Sequence, residues 1–379
     1  MNNANKVDNM SHHSIALHGA YYGQNFGDIL LMRIFSRYIR RADPAVRVVL
    51  PMAPPGHCEL IGADATGLKA FSSCRALLFG GGGYLGERPR QRLLWALRNY
   101  RHHVGLAHRA RKLGIPWSIV GVGFGPLTDQ WMRRAVVAMC NEAQIFAVRD
   151  AESVALAVAY GIPRHHIIET ADAALALTSD DLNEKAQEEI AADLSPLQGT
   201  RMIGLHLSSP SEAEKHAVPM VSKLLDRISS QSDYTLVIFN DSPGEPIPRA
   251  YRKLISQHEN SLRDRMIKLF YKSVDHQLAL LQQLNVVMTN KLHVGICASA
   301  FGKQVLSIPL HTKIIRFYRQ INKENNCIMP QDLPKLDIFD KITDMISTGP
   351  VVLPTSIRER ALMNRDLIEQ YMCNIMTRE

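Results

Sequence analysis

A lysine and a histidine two residues apart, Lys291 and His293, follow the apolar run Val286-Val287-Met288-Thr289 and precede the apolar stretch Val294 to Phe301. The pattern reads as a buried strand, a turn and a helix, with a second buried strand at Gln304 to Ile308. A cation and an imidazole then stand at the carboxyl end of a strand, the edge of an open α/β sheet where ligands bind. A helix start beside them favours anions, and an imidazole can move protons near neutral pH. The pair suits chemistry on a phosphate-bearing substrate. The alternative for His293 is a core or capping histidine.

Other residues sit at similar strand ends. Gly19 to Asp28 contains Asn25 and Asp28 and opens a helix; Asp28 is read either as its N-cap or as a contact to substrate hydroxyls. The run Gly80-Gly81-Gly82-Gly83-Tyr84-Leu85-Gly86 follows an apolar strand, and Gly121-Val122-Gly123-Phe124-Gly125 follows the next. Glycine is entropically unfavourable unless the backbone needs special dihedrals or a close approach, so ligand approach and a tight turn are the two readings. The Gly19–Asp28 loop lacks the spacing of a dinucleotide fingerprint, since Gly19 and Gly23 are four apart, and no Lys-Ser or Lys-Thr follows the Gly80–Gly86 run at Walker spacing. Val148-Arg149-Asp150 places a guanidinium suited to carboxylate or phosphate at a strand end, with a salt bridge as its plainer role. Asp150 is the expected N-cap of the following helix, and Asp172 is expected to be structural. Lys313 is a further candidate anion contact, or a plain surface lysine.

The elements that must position these groups alternate between strand-like and helical runs almost throughout, the pattern of parallel sheets covered on both faces. Strands are expected at Ser14–His18, 46–50, 76–79, 117–122, 145–148 and 167–168, then at 202–207, 234–239, 266–270, 286–288 and 304–308. Residues 1–13 read as a tail and 14–180 as one Rossmann-like domain. A polar link follows at 181–200, a second Rossmann-like domain at 201–350, and a terminal segment at 351–379 whose helix crosses back.

The 379-residue length fits two cores, and 46% hydrophobic with 21% charged residues fits an ordinary globular chain. No apolar run is long enough to span a bilayer, and the polar start has no signal-peptide core. The six cysteines are scattered without a C-x-x-C pair, which fits reduced thiols in a cytoplasmic protein, and no histidines are spaced as metal ligands. The net charge of +8 favours an anionic partner, yet no nucleic-acid-binding signature is present. Residues 88–112 form a basic amphipathic helix, either a solvated face or a peripheral contact with the inner membrane surface.

Taken in order, Gly23-x-Asn25-x-Gly27-Asp28, Gly81-Gly82-Gly83-x-Leu85, Val148-Arg149-Asp150-x-x-Ser153, Asp172, Lys291-Leu292-His293 and Lys313 resemble the polysaccharide pyruvyl transferase family. The resemblance implies an α/β fold of two Rossmann-like domains with mostly parallel sheets facing across a cleft, as in GT-B glycosyltransferases. It implies transfer of pyruvate from phosphoenolpyruvate to two hydroxyls of a sugar, as a ketal, with release of phosphate. The acceptor is then a glycan or lipid-linked sugar, and neither a metal nor a separate cofactor is expected. On this reading His293, Lys291 and Arg149 are catalytic, while Asn25, Asp28, Gly81, Gly82, Gly83 and Lys313 bind substrate. One departure stands out: relatives commonly carry Arg-Leu-His where this chain has Lys291-Leu292-His293. Lysine keeps the charge but loses the bidentate fork, which Arg316 or Arg319 can replace. The alternatives are a nucleotide-sugar glycosyltransferase of the same architecture and a non-catalytic glycan-binding protein.

Overall fold

The computed structural model describes residues 14–87, 92–208, 211–244 and 246–377. The expected tail 1–13, with His12 and His13, and the start of the basic helix at 88–91 lie outside the described residues. The chain divides into two compact units. The first contains residues up to Gln24, Asp28–Ala173 and Ser356 onward; the second contains Asn25–Gly27 and Ala174–Thr355.

The first unit holds β1 (Ser14–His18), β2 (Arg47–Leu50), β3 (Ala65–Thr66), β4 (Ala76–Phe79), β5 (Gly82–Leu85), β6 (Trp117–Phe124), β7 (Phe146–Val148) and β8 (Ile167–Glu169). The sheet runs β3-β2-β1-β4-β6-β7-β8, with β5 also pairing with β6, and all of these pairings are parallel. Strands buried on both faces need apolar residues at nearly every position rather than alternation, and β1 and β4 are buried throughout. The core packs Leu77, Phe79, Val122, Phe124 and Phe146 between sheet and helices. Each such side chain contributes roughly 1.5–3 kcal/mol through burial.

The second unit holds β9 (Arg201–His206), β10 (Tyr234–Phe239), β11 (Met266–Leu269), β12 (Val286–Thr289) and β13 (Gln304–Ser307). Their order is β11-β10-β9-β12-β13, again wholly parallel. Strand order therefore reverses between β9 and β12, as it does between β1 and β4 in the first unit. Such a switch point leaves a crevice at the carboxyl ends where ligands bind.

The expected strands all form, the short β3 is added to them, and three further local features depart from the sequence reading. β5 begins inside the glycine run, where Gly82 takes φ +120°, a value that side chains rarely adopt. The basic helix expected over 88–112 is helical at Arg92–Asn99 and Gly105–Lys112, with a π-helical turn at Tyr100–Val104 between them. The stretch expected as a polar link folds at Glu184–Leu194 as a helix that buries Ala186, Ile190 and Leu194. Its apolar residues recur every four positions, and the Asn183 side chain caps it by accepting the Ala186 N–H at 3.0 Å.

The terminal helix Thr355–Met376 is fastened to the first unit by backbone acceptors. Tyr371 Oη donates to the Leu77 and Pro116 carbonyls at 3.3 and 3.0 Å, and Asn364 Nδ2 donates to the Ala171 carbonyl at 2.9 Å. No helix among the described residues is long and apolar enough to cross a membrane.

Candidate active site

Three neighbouring strands of the second unit deliver polar groups to one edge. β9 ends at His206, β10 is followed by Asn240 and Asp241, and β12 is followed by Asn290 and Lys291. Because β10, β9 and β12 lie side by side, these groups converge. Asp241 Oδ1 stands 3.3 Å from Lys291 Nζ and 3.3 Å from His206 Nε2. The carboxylate is 5% exposed, while the lysine side chain keeps 34% of its surface. Burial alone would raise the Asp241 pKa, but the His206 and Lys291 charges and hydrogen bonds outweigh it and hold the carboxyl well below the usual range.

Thr289 orders this cluster. Its Oγ1 accepts the Lys291 backbone N–H at 3.0 Å and lies 3.1 Å from His206 Nδ1. Thr289 Oγ1 and Asp241 Oδ1 thus bracket the two ring nitrogens of His206. Asn290 closes the loop by accepting the Ser208 N–H at 3.2 Å and donating to the Ser208 carbonyl.

His293 occupies the first turn of the helix Leu292–Ala300. Against it lies Asn25–Gly27, the short segment that groups with the second unit. The Phe26 N–H donates to the Asp241 carbonyl at 2.9 Å. A Cβ placed on Gly27 would fall 2.0 Å from His293 Nδ1, so only glycine admits the imidazole there. That contact gives the Gly-Asp pair of the first loop a physical reason. Asp28 itself corrects one expectation: the helix begins at Phe26, so Asp28 sits in its first turn rather than at its N-cap, where a negative charge suits the helix dipole. Asn25 directly precedes that helix. Lys313 is exposed in the first turn of Thr312–Gln320, beyond β13 and thus one strand over from Lys291.

In the first unit, Arg149 Nη1 donates to Asp172 Oδ2 at 2.7 Å, with the two side chains 7% and 4% exposed. The plainer role weighed for Arg149, a salt bridge, is therefore present. The other edge of the guanidinium runs beneath the glycine loops: added Cβ atoms would lie 3.2 Å from its Nε at Gly123 and 3.6 Å from its Nη2 at Gly83. Gly83 is exposed, whereas Gly81 and Gly82 are buried. A Cβ added at Gly81 would lie 3.2 and 3.3 Å from the Phe35 and Leu31 side chains, so close protein packing already uses its small size. Asp150 caps the helix Ala151–Ala159 by accepting the Ser153 N–H at 2.7 Å, and Ser153 Oγ accepts the Phe124 N–H at 3.0 Å. The Val-Arg-Asp-x-x-Ser motif thus welds β6, β7 and the next helix.

The sequence reading passed over His206 and Asp241. Both obey the rule that selected Arg149 and Lys291, a polar side chain ending an apolar strand. Beside His206 lies a small apolar pocket lined by Leu207, Phe239, Ile247, Pro248 and Tyr251 among others.

Two Rossmann-like units of wholly parallel strands place the protein in the GT-B fold class. The UDP-GlcNAc 2-epimerase of Neisseria meningitidis, solved with UDP-GlcNAc, matches with a TM-score of 0.62 at 10% identity, over 94% of this chain and 99% of that one. A putative UDP-N-acetylglucosamine 2-epimerase from Listeria monocytogenes matches with a TM-score of 0.61 at 13% identity, over 96% and 97%. The enzyme of Methanocaldococcus jannaschii gives 0.61 at 11% identity, over 94% and 99%. At these identities the likeness is one of fold. A comparison with curated proteins gives no match. The family model for polysaccharide pyruvyl transferase matches residues 25–312, from the segment against His293 through Lys291 and His293 to the next helix. The chain belongs to the polysaccharide pyruvyl transferase family.

Proposed function

We propose that the protein transfers pyruvate from phosphoenolpyruvate to two hydroxyls of one sugar in a polysaccharide or glycolipid precursor. The observation that carries the reading is the cluster at the β9/β12 switch point, where Lys291 is anchored by Asp241 and His293 is seated against Gly27. The donor carries a carboxylate and a phosphate, and its enol carbon is activated by a proton. Protonation at C3 leaves a cationic C2 that one sugar hydroxyl attacks. The C2–O bond to phosphate breaks, and a second hydroxyl closes the ketal. One hydroxyl proton replaces the proton delivered to C3, and the other leaves with phosphate. His293 is the group assigned to move these protons. Lys291 meets the donor's negative charge, with Lys313 on the neighbouring strand end. Asp241 and His206 hold the lysine in place.

The test is phosphate release from phosphoenolpyruvate with a panel of acceptor glycans, alongside His293→Ala. Release that requires an acceptor and falls at least a hundredfold in the variant supports the reading. A fully active His293→Ala, or no release with any acceptor, overturns it.

The pocket beside His206 favours a second reading, a nucleotide-sugar glycosyltransferase, because its apolar walls and Tyr251 suit a flat base. Thermal shifts separate the two: stabilisation by phosphoenolpyruvate supports pyruvyl transfer, and stabilisation by nucleotide sugars alone supports glycosyl transfer.

We also propose that the enzyme meets anionic lipid through the basic helix. Leu94 and Leu97 are 72% and 54% exposed. Arg98 and Arg101 follow at helical spacing and are exposed on the same side. Co-sedimentation with phosphatidylglycerol vesicles, and its loss in Leu94→Ser/Leu97→Ser, is the expected result. Equal binding to phosphatidylcholine, or none to either, counts against this contact.

A further inference from the structure

The switch point of the first unit, between β1 and β4, carries a second group of side chains that the proposed pyruvyl chemistry does not use. β1 ends at His18, which is fully buried. Its Nδ1 lies 2.7 Å from Tyr21 Oη and its Nε2 lies 2.8 Å from His103 Nδ1. Tyr84 stacks on the His103 ring at 4.4 Å, and the Tyr22 ring lies 4.3 Å from that of His102. Both His102 and His103 belong to the π-helical turn Tyr100–Val104. Such turns insert one residue into a helix, re-aim its side chains and gather at functional sites.

The hydrogen bonds have a fixed direction. Tyr21 Oη accepts the Met52 backbone N–H at 3.3 Å, a group that can only donate. Its own proton is therefore directed to its other partner, His18 Nδ1. His18 then carries its proton on Nε2 and donates to His103 Nδ1, which leaves His103 with an N–H on Nε2 at the end of the chain. Burial lowers the pKa of His18 well below its usual value and brings His103 to about 3, so both rings work as uncharged hydrogen-bonding groups. Next to this terminus, the buried atoms Tyr22 Oη and His102 Nδ1 have no hydrogen-bond partner in the protein. Buried polar atoms without partners cost about 1–3 kcal/mol each, so two at one strand-order switch mark a place made for ligand atoms.

We infer that His103, Tyr22 and His102 form a subsite in the first unit for an uncharged sugar ring, which on the proposed function is that of the acceptor. A sugar hydroxyl both donates and accepts, and it matches a phenol and two imidazoles with one donor and one acceptor site apiece. The half-buried Tyr22 ring suits the apolar side of a pyranose, while Tyr84 backs His103. The six rings themselves carry no charge, but the Arg98 charge acts on Tyr22 and the Arg98 and Arg101 charges act on His102, so a charged sugar is the control that separates the two ligand types. The identity of residue 22 then bears on acceptor affinity and leaves the donor untouched.

The experiment is saturation-transfer NMR of the full chain with the methyl glycosides of galactose, glucose and mannose, with methyl glucuronide as a charged control. At least one uncharged glycoside should bind, and Tyr22→Phe and His102→Ala should each weaken it about five- to tenfold, the effect of one lost hydrogen bond. Tyr22→Phe removes a single oxygen and is the variant that preserves the packing. Phosphoenolpyruvate-induced thermal shifts should stay at the wild-type value in both. No binding of any uncharged glycoside to the wild-type protein, or unchanged binding in both variants, overturns the subsite. Saccharide binding without phosphate release from phosphoenolpyruvate would instead sink the pyruvyl reading and leave the subsite standing. Acceptor-dependent release whose acceptor KM is unmoved in both variants would do the reverse.

Discussion

Replacing Gly27 by alanine isolates the contact that seats His293. The new methyl carbon would lie 2.0 Å from Nδ1, 2.3 Å from Cγ and 2.6 Å from Cβ of His293. Non-bonded carbons settle at about 3.5–4.0 Å, so the ring has to move by about 1.5 Å. Turning χ1 is no escape, because the Cβ itself is too close; the helix start or the 25–27 segment must shift by about 1 Å. Overpacking of this kind costs about 1–3 kcal/mol of stability. A reacting group displaced by about 1 Å loses on the order of a hundredfold in rate. Gly27→Ala should therefore lower kcat/KM for phosphate release about a hundredfold while the protein remains folded at 25 °C. Because the damage acts through the imidazole, Gly27→Ala combined with His293→Ala should fall well short of the product of the single losses. Steady-state kinetics on the four proteins and their melting curves supply the comparison. Wild-type kcat/KM in Gly27→Ala, or losses that multiply fully in the double variant, would refute the reasoning.

Other outcomes follow from the ion pairs and histidines. Asp241→Asn keeps the side-chain shape but deprives Lys291 and His206 of their charge partner; with the lysine partly exposed, we expect a loss of about 2–3 kcal/mol in urea unfolding and weaker phosphoenolpyruvate binding. Arg149→Met strands the Asp172 carboxylate in the interior and should destabilise by about 3–5 kcal/mol, with Asp172→Leu added to it recovering much of the loss. Because His18 and His103 have lowered pKa values in the fold, their contribution is fully present above the unfolded value near 6.5. It is lost as pH falls from there toward the folded value, about 3 for His103, since only the unfolded chain binds the protons. Each histidine adds a slope of about 1.4 kcal/mol per pH unit in that window, so His103→Gln should make acid unfolding measurably shallower.

Much of the architecture was legible because parallel strands buried on both faces leave continuous apolar runs, as at 14–18, 76–79 and 286–289. β5 was hidden because glycines carry no strand propensity, and its pairing with β6 is a tertiary fact. The π-helical turn left no mark in a sequence whose helical pattern runs on through it. The helix Glu184–Leu194 was readable from Asn183 and its apolar spacing, but its many acidic residues disguised it. At the site, Lys291 and His293 stood out because they are close in sequence. His206 and Asp241 are 35 residues apart and meet Lys291 only through the β10-β9-β12 order. Gly27 was legible as part of a motif, yet its reason, the imidazole of residue 293, lies far along the chain.

The central claim, ketal-forming pyruvyl transfer, is tested most directly by the product. The protein is incubated with phosphoenolpyruvate labelled with carbon-13 at C2 and an acceptor glycan, and the carbon signal is followed by NMR beside a phosphate assay. The account predicts that the label moves to a ketal carbon bonded to two oxygens of one sugar residue, in step with phosphate released, and that His293→Ala abolishes both. Phosphate released while the label ends as free pyruvate, or a glycan extended only when a nucleotide sugar is supplied, would contradict it.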